Sequence, residues 1–345
     1  MKKTLKSISW QVDEPTYRAD EAFSYSTLSR FHREGFSKID SLFDPISSPY
    51  LTFGSLVDTL ITGSIEEYSN LFCVAQFPSI SPSQEVAVKK IFELYKNDYT
   101  DLKKIPTNKV LDVLNDIEYQ KNWNDDTRVK KIKDQCSDYY NLLIFTDGKE
   151  IISSEDNMAA NACVDKLRNS PVTSKYFTEA PFEDYIDREY QLKFKGEYNG
   201  IPVRCMADLI VVDHKNKVVI PVDLKTSSKP EWEFADSFIH WGYYIQAQLY
   251  WYIIRQNMDK DDYFKDFKLL DYRFIVISRN TLTPLVWNYK DTKKEETLYY
   301  GSNKIECKNW REILTELNYY IQNKPQVPIN ISLNKENDLT KLLQL

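Results

Sequence analysis

The sequence predicts an α/β or α+β core with a helical cap. Three observations lead there. Residues 1 to about 180 carry apolar side chains at helical spacing. From about 182 the texture changes to strand-like runs separated by "NG" and "HKNK" turns. A long helix, roughly 235–257, then precedes two more strands and a last helix.

Each element has its local reason. "SYSTLSRFHREG" opens on Ser and closes on Gly, as a short helix does. "FGSLVDTLITGSIEEYSNLF", "SQEVAVKKIFELYKNDYTDLKKI" and "SEDNMAANACVDKLRNSP" repeat the helical period. The basic segment "RVKKIKDQ", 128–135, reads as a solvated helix face before it reads as a phosphate contact. "REYQLKFKGEY", "IPVRCMADLIVVD" and "KVVIPVDLKT" form a three-stranded meander. "YRFIVIS" and "PLVWNY" supply two further strands, and "WREILTELNYYIQ" a final helix before a polar tail.

Composition narrows the class. A chain of 345 residues with 42% hydrophobic content can bury a sizeable core. Its net charge of -6 gives nucleic-acid binding no global help, although a local basic groove remains compatible with it. Five scattered cysteines and three scattered histidines match no zinc or iron–sulfur spacing and suit a reducing compartment. The basic start lacks an apolar region behind it, and no run is long enough to span a bilayer. The expectation is a cytoplasmic protein with no membrane partner. Its 24 Tyr, 17 Phe and 7 Trp read mainly as core.

The chemistry concentrates at "VVIPVDLKTSS", 218–228. Asp223 and Lys225 are two apart, so on a strand they share a face. If the "HKNK" turn closes symmetrically about Lys215 and Asn216, Asp208 falls opposite Asp223. Opposed side chains on neighbouring strands lie about 5 Å apart, and two like charges so placed repel. A divalent cation between them resolves the conflict, and hard oxygen ligands suit Mg²⁺ or Mn²⁺. The "NG" turn at Asn199 and Gly200 places Glu189 opposite Ile210, diagonal to Asp208 and a candidate third acid. Lys225 would polarise a water or hold a phosphate oxygen. The pattern points to metal-assisted phosphodiester hydrolysis. A plain ion pair between Asp223 and Lys225, with Asp208 bonded to backbone, is the structural alternative.

At these residues the chain resembles the PD-(D/E)XK nuclease superfamily, and within it the RecB-type and RecE (exonuclease VIII) branch. "ADLIVVD" with Asp208, "VDLKTS" with Asp223 and Lys225, "QAQLY" with Gln246 and Tyr250, and "FGSLVDTLITG" at 53–63 carry the resemblance. It covers about 182–290 and the helix near 53–63. It implies a restriction-endonuclease-like core, a central mixed β-sheet flanked by helices. It further implies metal on Asp208, Asp223 and the Leu224 carbonyl, with Lys225 serving the nucleophile. Gln246 and Tyr250, four apart on a helix, would reach the site from one face. Where the branch usually carries a metal-binding histidine, this chain has Asp58.

The resulting expectation is a helical region 1–180 contributing to the active site, a nuclease core 181–290, and a C-terminal helix and tail, 291–345, packed on it. The function expected is a Mg²⁺- or Mn²⁺-dependent DNA exonuclease of phage or bacterial recombination or repair. An endonuclease on duplex or branched DNA, or an inactive DNA- or protein-binding module, are the alternatives. By resemblance, a homo-oligomer and a single-strand annealing protein are candidate partners besides DNA.

Overall fold

The computed structural model describes residues 2–43, 49–76, 78–179 and 184–325. The chain divides into two compact units. One comprises residues 1–48 and 163–345, the other 49–162.

The first unit holds a six-stranded sheet. Its strands are β1 (Ile186–Tyr198), β2 (Ile201–Asp213), β3 (Val218–Ser227), β4 (Lys268–Leu269), β5 (Arg273–Ser278) and β6 (Pro284–Asn288). The spatial order is β1-β2-β3-β5-β6, with the short β4 beside the start of β3. Neighbours are antiparallel except β3 with β4 and β5, so the sheet is mixed, as the resemblance implied.

Both hairpin turns close as their composition demands. Asn199 and Gly200 have φ of 51° and 76°, the left-handed pair of a two-residue turn whose twist matches the flanking strands. Tyr198 therefore faces Ile201 and Glu189 faces Ile210. At the second turn Asp213 faces Val218 and Leu209 faces Val222, the symmetric register. Pro221, a poor residue for an inner strand, sits opposite the break between β4 and β5, where its missing N–H is not called upon.

Helices in the core of this unit include α1 (Tyr25–Glu34), α2 (Tyr243–Asp259) and α3 (Trp310–Asn323). α1 ends at Gly35, φ 73°. The single helix expected over 235–257 is two, because Gly242 adopts the left-handed conformation (φ 67°, ψ 38°) between Phe234–His240 and α2. α2 lies on β1 and β2 and buries Ile245, Leu249, Ile253 and Ile254. The core is rich in aromatic rings, among them Phe194, Phe274, Tyr244 and Trp310, all buried. Phe31 of α1 meets Tyr320 of α3 edge-on, ring centroids 5.9 Å apart. The N-terminal and C-terminal segments are thus part of the sheet-bearing unit. The boundaries 1–180, 181–290 and 291–345 do not follow the compact units, and residues 326–345 of the tail lie outside the described residues.

The second unit is helical, as its periodicity predicts. Its helices include Pro49–Thr62, Ile65–Leu71, Pro82–Tyr95, Thr107–Asp116, Asp125–Gln135 and Ser137–Phe145. Ser81 and Gln84 form a reciprocal capping box at the third of these. Val88, Ile91, Leu114, Ile132, Tyr139 and Leu143 make its separate core. A short parallel pair, Phe72–Val74 with Glu150–Ile152, was not legible among the helical patterns. Among the described residues no helix is long and apolar enough to cross a membrane.

Candidate active site

The site forms where β2 lets go of β3. The ladder between them ends at Leu209 and Val222, one step before Asp208 and Asp223. In place of the next backbone pair, Asp208 Oδ2 accepts the N–H of Leu224 at 3.0 Å. A side chain has taken over a ladder position, which anchors Asp208 beside Asp223.

Asp223 is wholly buried, an expensive position for a carboxylate unless it is paired and hydrogen-bonded. It is both. Lys225 Nζ lies 2.5 Å from Oδ2, and Gln246 Nε2 donates to Oδ1. Gln246 comes from α2 and is itself buried. The i and i+2 placement on β3 gives Asp223 and Lys225 one face, and β5 backs them, with Phe274 paired to Asp223 and Val276 to Lys225.

Lys225 is 20% exposed, and its Nζ sits 4.8 Å from the centroid of the Tyr243 ring. Burial works against its charge. The Asp223 carboxylate outweighs that, aided by Tyr243, Asp208 and Tyr25, so the ammonium's pKa is raised. At neutral pH Lys225 is a cationic hydrogen-bond donor.

Tyr250, the second residue of the Gln246 pair, is buried, with its ring edge-on to Tyr272 at 6.1 Å. Burial first, then Tyr17, Cys205 and the two aspartates, pushes the Tyr250 phenol well above its usual value. Tyr272 is raised for the same first reason, with Asp223 next. Both remain neutral hydroxyls. Among the described residues, Gln246 Oε1 and Tyr272 Oη are buried polar atoms without a hydrogen-bond partner. Such atoms suit a water or a substrate oxygen.

The structure gathers Asp208, Asp223, Lys225, Gln246 and Tyr250 in one unit. Glu189 keeps the expected register, but its two carboxylate oxygens accept the N–H groups of Leu5 (2.6 Å) and Lys6 (2.7 Å). Both N–H groups belong to the short 3₁₀ turn Leu5–Ile8. Asp58 belongs to the helix Pro49–Thr62 of the second unit. Among the described residues no group of three or more His, Cys, Asp or Glu is disposed to hold a metal. A cation here would rest on Asp208, Asp223, the Leu224 carbonyl and oxygens from outside the protein. That all-oxygen set fits a hard divalent cation, which would share Asp223 with Lys225.

Basic side chains that could reach a phosphate are mostly bonded within the protein. Arg204 is buried and donates to the carbonyls of Tyr17, Asp20 and Arg18. Lys193 donates to Val12 O (2.9 Å), and Lys195 pairs with Asp20 (2.6 Å). Arg128 is buried against Tyr119, Asn115 and Asp125. Lys229 stays exposed, 3.9 Å from Glu233.

Sequence reasoning missed the aromatic wall of the site: Tyr25, Tyr243 and Tyr272. Tyr243 stands three residues before Gln246 on the same helix, a spacing that shares a face and could have flagged it. Tyr25 and Tyr272 come from distant elements and gave no such signal.

Three comparisons bear on identity. The model of a PDDEXK-like domain of unknown function, DUF3799, matches residues 25–283. No curated protein matches the chain. Among solved structures, a protein named "Putative exonuclease" from Eubacterium rectale is 14% identical, covering 96% of this chain and 98% of its own, with a TM-score of 0.42. The matched span contains β1 to β5 of the mixed sheet with Asp208, Asp223, Lys225, Gln246 and Tyr250, and the chain belongs to this PDDEXK-like family, within the PD-(D/E)XK nuclease superfamily.

Proposed function

We propose that this protein hydrolyses phosphodiester bonds in DNA with Mg²⁺ or Mn²⁺, acting as an exonuclease in phage or bacterial recombination or repair. The observation that supports it best is Asp208 bonded to the Leu224 N–H next to Asp223, with Lys225 ion-paired and Gln246 hydrogen-bonded to Asp223. Asp208, Asp223 and the Leu224 carbonyl would hold the cation. When bound, it would lower the pKa of a water and neutralise charge on the phosphate. The protein's own groups do the rest. Gln246 fixes the orientation of Asp223. The Lys225 ammonium donates to a phosphate oxygen as negative charge grows there. Its ion pair with Asp223 holds it as an ammonium, a donor. Tyr243, Tyr250 and Tyr272 enclose the site and strengthen these contacts by excluding water.

The test is digestion of linear and covalently closed duplex DNA with Mg²⁺ or Mn²⁺. Wild type should degrade the linear form and spare the circle, and Asp223→Asn and Lys225→Ala should be inactive. Cutting of the circle would replace the exonuclease with an endonuclease. Intact linear and circular DNA with either metal would sink the enzyme reading. The same direct contact of Lys225 with Asp223 supports a second reading, a binding module in which the lysine replaces the metal. Calorimetry separates the two, since only a metal site should give a heat of Mn²⁺ binding that Asp208→Ala abolishes.

A further inference from the structure

Trp241 is 44% exposed, and its ring is held in place. The guanidinium of Arg33 lies 5.1 Å from its ring centroid, and the His240 ring meets it edge-on at 4.6 Å. Its carbonyl accepts the Tyr25 hydroxyl at 3.0 Å. Behind it, Gly242 takes a left-handed turn that a Cβ would strain, with Ile245 Cδ1 only 3.0 Å away. The contacts continue inward: Tyr25 adjoins Tyr243 at 6.3 Å, and Lys225 lies over Tyr243. An exposed, braced indole is thus tied to the carboxylate site through two tyrosines.

We infer that Trp241, braced by Arg33 and His240, is a stacking platform for an unpaired nucleobase of the strand whose phosphate the carboxylate site receives. This rests on the nuclease reading and adds to it what the site reads. Stacking on an indole tolerates any base but requires that the base be out of its duplex, so the platform selects single strands and frayed ends. The adjacent guanidinium supplies charge for the backbone.

The test uses full-length protein carrying Asp223→Asn, so that binding is read without cleavage. Fluorescence anisotropy follows a labelled single-stranded 12-mer, and a second 12-mer with abasic nucleotides. Adding Trp241→Ala should weaken binding to the first about tenfold, the scale of one stacked base, whereas Trp241→Phe should keep most of it. The abasic strand should be indifferent to both changes. Equal binding by Trp241→Ala, equal losses on both strands, or no binding by any variant would overturn the platform. Failure of the nuclease reading looks different: wild type would leave DNA intact while the Trp241-dependent binding persists.

Discussion

Replacing Lys225 by alanine probes the energetics of the site directly. The lysine is 20% exposed and its partner Asp223 is fully buried, so the variant strands a carboxylate away from water with the Gln246 amide as its remaining donor. Breaking one side of a buried ion pair costs about 3–5 kcal/mol. The partial exposure of Lys225 and the surviving amide place the loss near the lower end, about 3 kcal/mol. For a unit of this size that lowers Tm by about 6–12 °C. The double variant Asp223→Asn/Lys225→Ala should recover most of the loss, because no charge is left behind. Mg²⁺ should rescue Lys225→Ala more than the double variant, by about 2.7 kcal/mol at a hundredfold excess over Kd. Scanning calorimetry with and without Mg²⁺ measures all of these. A loss below about 1 kcal/mol, or equal rescue of the two variants, would refute the pairing argument.

Gln246→Leu keeps the bulk of the side chain but removes the donor to Asp223 Oδ1; steady-state cleavage of linear DNA should fall about a hundredfold, as for other losses of a positioning hydrogen bond. Glu189→Ala frees the N–H groups of Leu5 and Lys6 and should cost about 1–3 kcal/mol in urea unfolding. Calorimetric Mn²⁺ binding should be unchanged in that variant; a lost heat would return Glu189 to the ligand set. Glu189 also carries a pH signature. Burial, ahead of its hydrogen bonds to Lys6 and Leu5, raises its pKa from 4.5. The folded state then holds the proton more tightly than the unfolded one, so this group's contribution is present below pH 4.5 and is lost as pH rises through the folded value. Urea unfolding of Glu189→Gln across that window should lack this limb.

The acidic pair was legible because two turns announced themselves. An Asn-Gly dipeptide and a short polar loop each fix a register by symmetry, and register with a period of two fixes the face. Leu209 against Val222, one step before the two aspartates, follows from that arithmetic, and so does Glu189 against Ile210. What arithmetic along a hairpin omits is the rest of the chain. It gives no sign that both Glu189 oxygens accept the N–H groups of Leu5 and Lys6, more than 180 residues earlier. Nor does anything around Arg204 in the sequence announce the carbonyls of Tyr17 and Asp20 that it bonds. The break in the helix at Gly242 was visible as a residue but not as a conformation, since glycine is tolerated inside helices at modest cost.

The discontinuity of the sheet-bearing unit has a consequence for biosynthesis. Residues 49–162 leave the ribosome as a contiguous piece with a core of their own, and domains of that kind fold as they emerge. The opening segment must wait: α1 finds Tyr320 only once the last helix has been translated. A nascent chain that has passed residue 162 therefore holds all the residues of the helical core before any strand of the six-stranded sheet has been made.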